Sequence, residues 1–535
     1  MKKINHYWEF CSGLIFITTC LFLNQLFSNP GFLNIRVNDD TTTQIQNEQQ
    51  IVINPKDTLN FVAVWRDFRF GYRQVAHAAS FDGGRTWIAE TVFVEPTYIW
   101  DSDPGLTVDT AGNFYAVILS FNSTSEPNGL FVLKSTDGGI SWGPPVTVIN
   151  GVPGVFEDKE LIACDRSGGP YTNNLYVAWT RFYNTQILIS RSTDGGNSFV
   201  GPVLVSDAGN VQWPVPAVGP NSEVYVAWCS DFSIRFDRST NGGVSFGTDR
   251  TVQNISYMYR YVKNDILTFS YPAMDVDITG GPYNGYIYIA YMDDGPGGYP
   301  DIYFTRSTDR GDTWSPRVRI NDDSLTNIDQ FHPWLTVDRT GCISVIFYDS
   351  RLDPNNVLTD VYLTQSTDGG TTWSPNVRVT TVSFDLHAGS RGKIEPYDHN
   401  RPLADQRAGL IGEYNGLAGA SKDNVVPIWT DTRLGNQDTY VGVVENPGIL
   451  KKNTHKLPGK VAIFPTVARS GSAIKCNLNS GDGIELDIFD ASGSLIQPIF
   501  NKNLHGLVIK GLRSGVYFFR IQTRPGSFYR KITIL

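Results

Sequence analysis

Six copies of one eight-residue turn punctuate the chain: SFDGGRTW, STDGGISW, STDGGNSF, STNGGVSF, STDRGDTW and STDGGTTW, opening at Ser80, Ser135, Ser192, Ser239, Ser307 and Ser366. A recurrence of roughly fifty residues is the signature of blades arrayed about an axis, each too small to bury its apolar face alone. Asp82, Asp137, Asp194, Asn241, Asp309 and Asp368 have short side chains that hydrogen-bond their own backbone, and the glycine two places on permits the positive φ of a tight hairpin. Trp87, Trp142, Phe199, Phe246, Trp314 and Trp373 are placed to fill the wedge between neighbouring blades. Six identical sites cannot all be one active site, so these aspartates are read as structural.

Each repeat alternates apolar and polar residues over short strands bounded by Gly, Asp and Asn, as in GLTVD, NFYAVIL, GLFVLKS and PVTVIN around the second turn. That is the pattern of half-buried strands in a four-stranded antiparallel meander. A seventh unit, GLAGA, VVPIWTD and DTYVGVVEN, has no such turn and no fourth strand. The segment Asn34 to Asp40 repeats the outer strand of the fifth unit, Arg317 to Asp323, almost residue for residue. It is expected to pair onto the last blade and close the ring, leaving only short protected edges. The predicted fold is all-β: a seven-bladed β-propeller closed by an N-terminal strand, with a small C-terminal β-sandwich.

The turn is the Asp-box, and residues 31–445 resemble the sialidase-like, or BNR-repeat, propellers. The resemblance implies the fold and leaves activity open, because Asp-boxes also occur in propellers that are not sialidases. Catalytic sialidases as a family have six blades, three arginines that grip a carboxylate, a Tyr nucleophile activated by Glu, and an Asp acid/base. Their Arg-Ile-Pro marker is missing before the first Asp-box, where Arg36 stands in Ile-Arg-Val. No catalytic residue carries over by motif.

Residues 1–28 carry Lys2, Lys3 and an apolar run from Leu14 to Leu23, which reads as a cleaved signal peptide rather than a membrane span. Cys20 follows Thr19, a poor match to lipoprotein processing. Residues 446–460 read as a linker. Residues 461–535 resemble the type IX secretion C-terminal sorting domain through the turn Asp490 to Gly493, the segment Leu512 to Tyr517 and the terminal basic-apolar strand. The resemblance implies export through both membranes, engagement of the secretion machinery, and removal of the tail. With 53 Asp and Glu against 44 Lys and Arg, and no basic block, nucleic acid is not expected as a partner. Cys164, Cys229, Cys342 and Cys476 are far apart, so neither a metal site nor a disulfide framework is indicated, and no motif calls for a cofactor.

Ligands belong on the rim opposite the Asp-boxes, where second-to-third strand turns and blade crossings gather. Candidates for anion grips are Arg69, Arg351 and Arg433; for proton transfer, Asp101, Asp103, Glu157 and Asp158. Candidates for ligand contact are Trp100, Trp213, Tyr257, Tyr259, Tyr261, Asp349, Asp431, Glu413 and Tyr414. Aromatic faces stack on sugars and arginine holds carboxylates in bidentate fashion, so this mixture suits a saccharide. The recurring Asp-x-Arg pairs at 67/69, 349/351 and 431/433 also read as strand-end salt bridges. Glu413 and Tyr414, if neighbours in a strand, point to opposite faces. An insertion over 384–407 carries His387, Arg391, Lys393, Glu395, Asp398, His399 and Arg401. Three readings stand: a binder of glycan or surface protein, an exo-acting glycoside hydrolase of sialidase type, or a structural adhesion protein.

Overall fold

In the computed structural model, residues 31–444 are described apart from 71, 124–126, 184, 265 and 389–410, together with eight strands within 462–534. The expected leader and linker lie outside the described residues, as does most of the insertion. Seven sheets form the propeller, six of four strands and one to which Phe384–Asp385 adds a fifth, with inner strands Gln46–Asn54, Trp100–Val108, Phe156–Cys164, Val211–Val218, Ala273–Val276, Gln330–Val337 and Gly416–Ser421. Each second strand is almost wholly buried, with Trp65, Trp179, Trp228 and Trp429 at its centre. Apolar residues on both faces of these strands bind each blade to its two neighbours, which is why no blade needs its own core.

The ring closes as its sequence implied. Phe32–Arg36 pairs antiparallel with Asp438–Val444, in the register Phe32 to Val444 through Arg36 to Tyr440. Asn38 locks the seam: its Nδ2 donates to Asp438 Oδ1 at 2.9 Å and its Oδ1 accepts the Thr439 N–H at 2.9 Å.

Every Asp-box is tied the same way. In the first, Ser80 Oγ donates to Asp82 Oδ1 at 3.0 Å, Gly84 N–H donates back to Ser80 Oγ at 2.9 Å, and Asp82 accepts the N–H groups of Arg85 and Thr86. Box aromatics reach the preceding blade: Trp142 packs on Phe93, Trp314 on Phe236 and Trp373 on Phe304 at ring separations of 5.0, 5.4 and 4.8 Å.

The sequence reading misplaced one feature. Trp100 to Asp103, Glu157 to Glu160, Gln212 to Trp213 and Gln330 to His332 are not blade crossings but the first halves of inner strands. A β-bulge follows each, breaking register at Ser102/Gly105, Asp158/Leu161, Gln212/Val215 and Phe331/Trp334. The extra residue shifts the alternation by one, so a period-two search stops there.

Residues 462–534 form two sheets, one of three strands and one of five. Among the described residues no helix is long and apolar enough to cross a membrane.

Candidate functional site

The bulges set one residue per blade at the mouth of the axis. Glu48, Asp103, Lys159, Trp213 and His332 occupy the bulged position with φ between 47° and 58°, a conformation non-glycine residues rarely adopt. Tyr271 precedes Pro272 as Asp103 precedes Pro104, and Tyr414 leads into the seventh inner strand.

These side chains meet across the axis and close it. Lys159 Nζ sits 2.9 Å from Asp103 and 2.6 Å from Glu413, which also accepts Trp213 Nε1–H at 3.1 Å. Tyr414 Oη donates to Pro104 O at 3.1 Å. Glu413 and Tyr414 therefore reach the same axial group. The opposed orientation expected of strand neighbours does not apply, because both lie in the turn before Gly416. Beside them is a cavity of about 20 Å³ lined by Lys159, Glu160, Trp213, Tyr271, Trp334 and Tyr414 among others, room for about one water. Glu160 is buried and neither of its carboxyl oxygens has a hydrogen-bond partner in the protein.

Burial splits the carboxyls. It pushes Glu48 up to about 8 despite Arg66 at 3.0 Å, lifts Glu160 well above the ordinary range, and moves Asp158 to about 7. At Asp103 burial acts in the same sense, but Lys159, Arg66 and Ser102 together outweigh it and hold the group ionised. Sequence reasoning missed Glu48 and Tyr271, and met Glu160 only as part of a run it placed at a blade crossing. The one available signal was the X-Pro step that marks the bulge at Asp103, Trp213 and His332 and recurs at Tyr271.

The three candidate arginines sit in blades one, six and seven, each held by its own partners. Arg351 donates to Asp349 at 2.8 Å, Asn376 at 2.8 Å and Asp322 at 2.5 Å, with its guanidinium 4.3 Å from the Tyr362 ring. Arg433 does the same with Asp431, Asn34 and Thr381, over Tyr440. Arg69 bonds Asp67 and pairs with Glu90, which accepts the Asp39 N–H. In every case the arginine ties the end of a second strand to its blade's outer strand and to the crossing from the previous blade. Asp349 and Asp431 are fully buried beneath these guanidinia.

Of the remaining candidates, Glu157 binds Trp179 Nε1 and Arg181, Asp101 accepts from Ser120 at 2.6 Å, and Trp100 packs edge-on against Phe121. Tyr257 is half-buried under Arg260. Tyr259 and Tyr261 are exposed on a two-stranded hairpin, Tyr259–Val262 with Ile266–Phe269. No cluster of three or more His, Cys, Asp or Glu among the described residues is arranged to hold a metal.

Residues 462–535 match the family model of the secretion system C-terminal sorting domain. No curated protein matches the chain. Among solved structures, the chain is similar to the leech intramolecular trans-sialidase, at 12% identity over 62% of this chain and 69% of that one, with a TM-score of 0.45. It is also similar to the α-L-arabinofuranosidase of Fusarium graminearum (14%, 59% and 93%, TM-score 0.41) and to a protein of unknown function from Dyadobacter fermentans (15%, 60% and 95%, TM-score 0.40). The molecule is a seven-bladed β-propeller protein. Its tail marks it as cargo of the type IX secretion route, secreted or held at the cell surface.

Proposed function

We propose that the exported propeller binds a carbohydrate chain on the rim opposite its Asp-boxes, without catalysis. One observation carries the reading: exposed aromatics crowd that rim while the axis is closed. Phe70, Tyr72, Tyr183, Phe232 and Tyr299 stand in second-to-third strand turns, whereas the Asp-box rim exposes only Leu59, Val200 and Val244, none aromatic, among large apolar side chains of the described residues. A broad ring of aromatic faces suits a polymer laid across it, and a plugged axis offers no deep slot for a terminal sugar. Affinity electrophoresis of the full exported chain against a polysaccharide panel, run beside fluorogenic glycosides, tests this. Saturable retardation without turnover is expected, and retardation by none of the polymers removes the reading.

A second reading, an exo-acting glycoside hydrolase, has its own observation. Glu48 is kept neutral and Asp103 ionised within one axial group, the split that acid and base carboxyls require. Turnover of any glycoside that disappears in Asp103→Asn would favour it.

A further inference from the structure

The hairpin Tyr259–Val262 with Ile266–Phe269 is inserted between the outer strand of blade four and the inner strand of blade five. It is fixed to three blades. The Phe269 ring lies 4.3 Å from Trp213 of blade four, Arg260 pairs with Asp294 of blade five, and Lys263 Nζ donates to Ser350 Oγ at 2.5 Å and Asn356 O at 2.8 Å in blade six. A segment bound this firmly is a rigid support, and what it presents outward is ordered in advance.

It presents two tyrosines. Tyr259 and Tyr261 are 60% and 39% exposed, two places apart on one strand and therefore on one face, beside their buried cross-strand partners Phe269 and Leu267. Two residues of extended strand span about 7 Å, of the order of one sugar ring to the next along a chain. Phe232 and Tyr299 stand exposed in the neighbouring turns of blades four and five. The charges nearby are unsuited to an anion. Arg260 is neutralised by Asp294 and Arg351 by Asp349, while Asp231 is itself exposed.

Resting on the carbohydrate-binding reading above, we infer that Tyr259 and Tyr261 form a stacking platform for consecutive residues of a neutral polysaccharide. The apolar faces of two successive sugars lie on the two rings, and the acidic surroundings disfavour uronate or sialate polymers. Such stacking is rigid and sequence-tolerant, because each tyrosine has only two side-chain torsions to immobilise.

The full chain is titrated calorimetrically with a neutral glucan, a neutral arabinan and polygalacturonate. A neutral polymer is expected to bind with affinity little changed from low to high salt. Tyr259→Ala and Tyr261→Ala should each weaken binding about tenfold, Tyr261→Phe should retain it, and the double alanine variant should abolish it. Both side chains are exposed, so thermal unfolding of these variants should match the parent. Undiminished binding by the double variant overturns the platform while leaving rim binding intact. Preference for polygalacturonate overturns its neutral ligand, and binding of no polysaccharide overturns the platform together with the reading beneath it.

Discussion

At the second glycine of each Asp-box the backbone turns left-handed and leans on the preceding blade. Gly139 has φ +91°, and a Cβ there would meet Val62 Cγ2 at 2.4 Å; at Gly311 it would meet Phe236 at 2.2 Å. Gly139→Ala should therefore cost about 3 kcal/mol, combining overpacking with an unfavourable φ, read as a shift in the urea midpoint. Arg310 breaks the pattern: it sits at φ 62° where most boxes have glycine, and its exposed side chain makes only a long pair with Glu223, a buried carboxylate that Asn221 also holds. Arg310→Gly should stabilise the protein by about 0.5–1 kcal/mol in the same measurement. The need for glycine was legible in the sequence, because a turn's φ depends on its own residues. The neighbour it presses against was not, since Val62 lies in another blade.

Within a blade, two devices repeat: the inner-strand bulge and the arginine that stitches crossing to outer strand. The stitch was half legible. The pairs at 67/69, 349/351 and 431/433 are visible as spacing, but Asn34, Asn376 and Thr381 join them only through the fold. Removing an arginine strands a buried carboxylate. Arg433→Ala should destabilise the protein by about 3 kcal/mol through Asp431, while polysaccharide affinity per folded molecule stays at the parent value. The bulge was not legible, because an extra residue erases the alternation by which strands are found. For that reason Glu48 escaped notice, although it stands with Asp103, Trp213, Glu413 and Tyr414, which did not.

Across the whole molecule, burial gives two opposed pH dependences: the protonated Glu48, Glu160 and Asp158 favour the folded state as pH falls, and two buried histidines disfavour it. His77, packed against Phe93 and Trp142, and His332, in the axial ring, are both pushed down to about 3 by burial. Each stays neutral when folded but takes a proton near 6.5 when unfolded, so its contribution to stability is complete above that pH and falls as pH drops toward 3. The slope approaches about 1.4 kcal/mol per pH unit per histidine. Urea unfolding of the parent and of the His77→Phe/His332→Phe double variant at neutral pH and in mild acid isolates the histidine contribution, and the variant's stability should shift toward greater stability in acid relative to the parent's. By itself the sequence determined the number of blades, the chemistry of their turns, the strand that closes the ring and the export tail. Those features are local or repeated, and hydrogen bonds between near neighbours or a recurring period report them. Only the tertiary structure decided that the axial carboxyls are buried, that Glu413 and Tyr414 face the same centre, and that Tyr259 and Tyr261 remain on the surface. Exposure and electrostatic partnership come from residues hundreds of places away, and no spacing along the chain encodes which of them will meet.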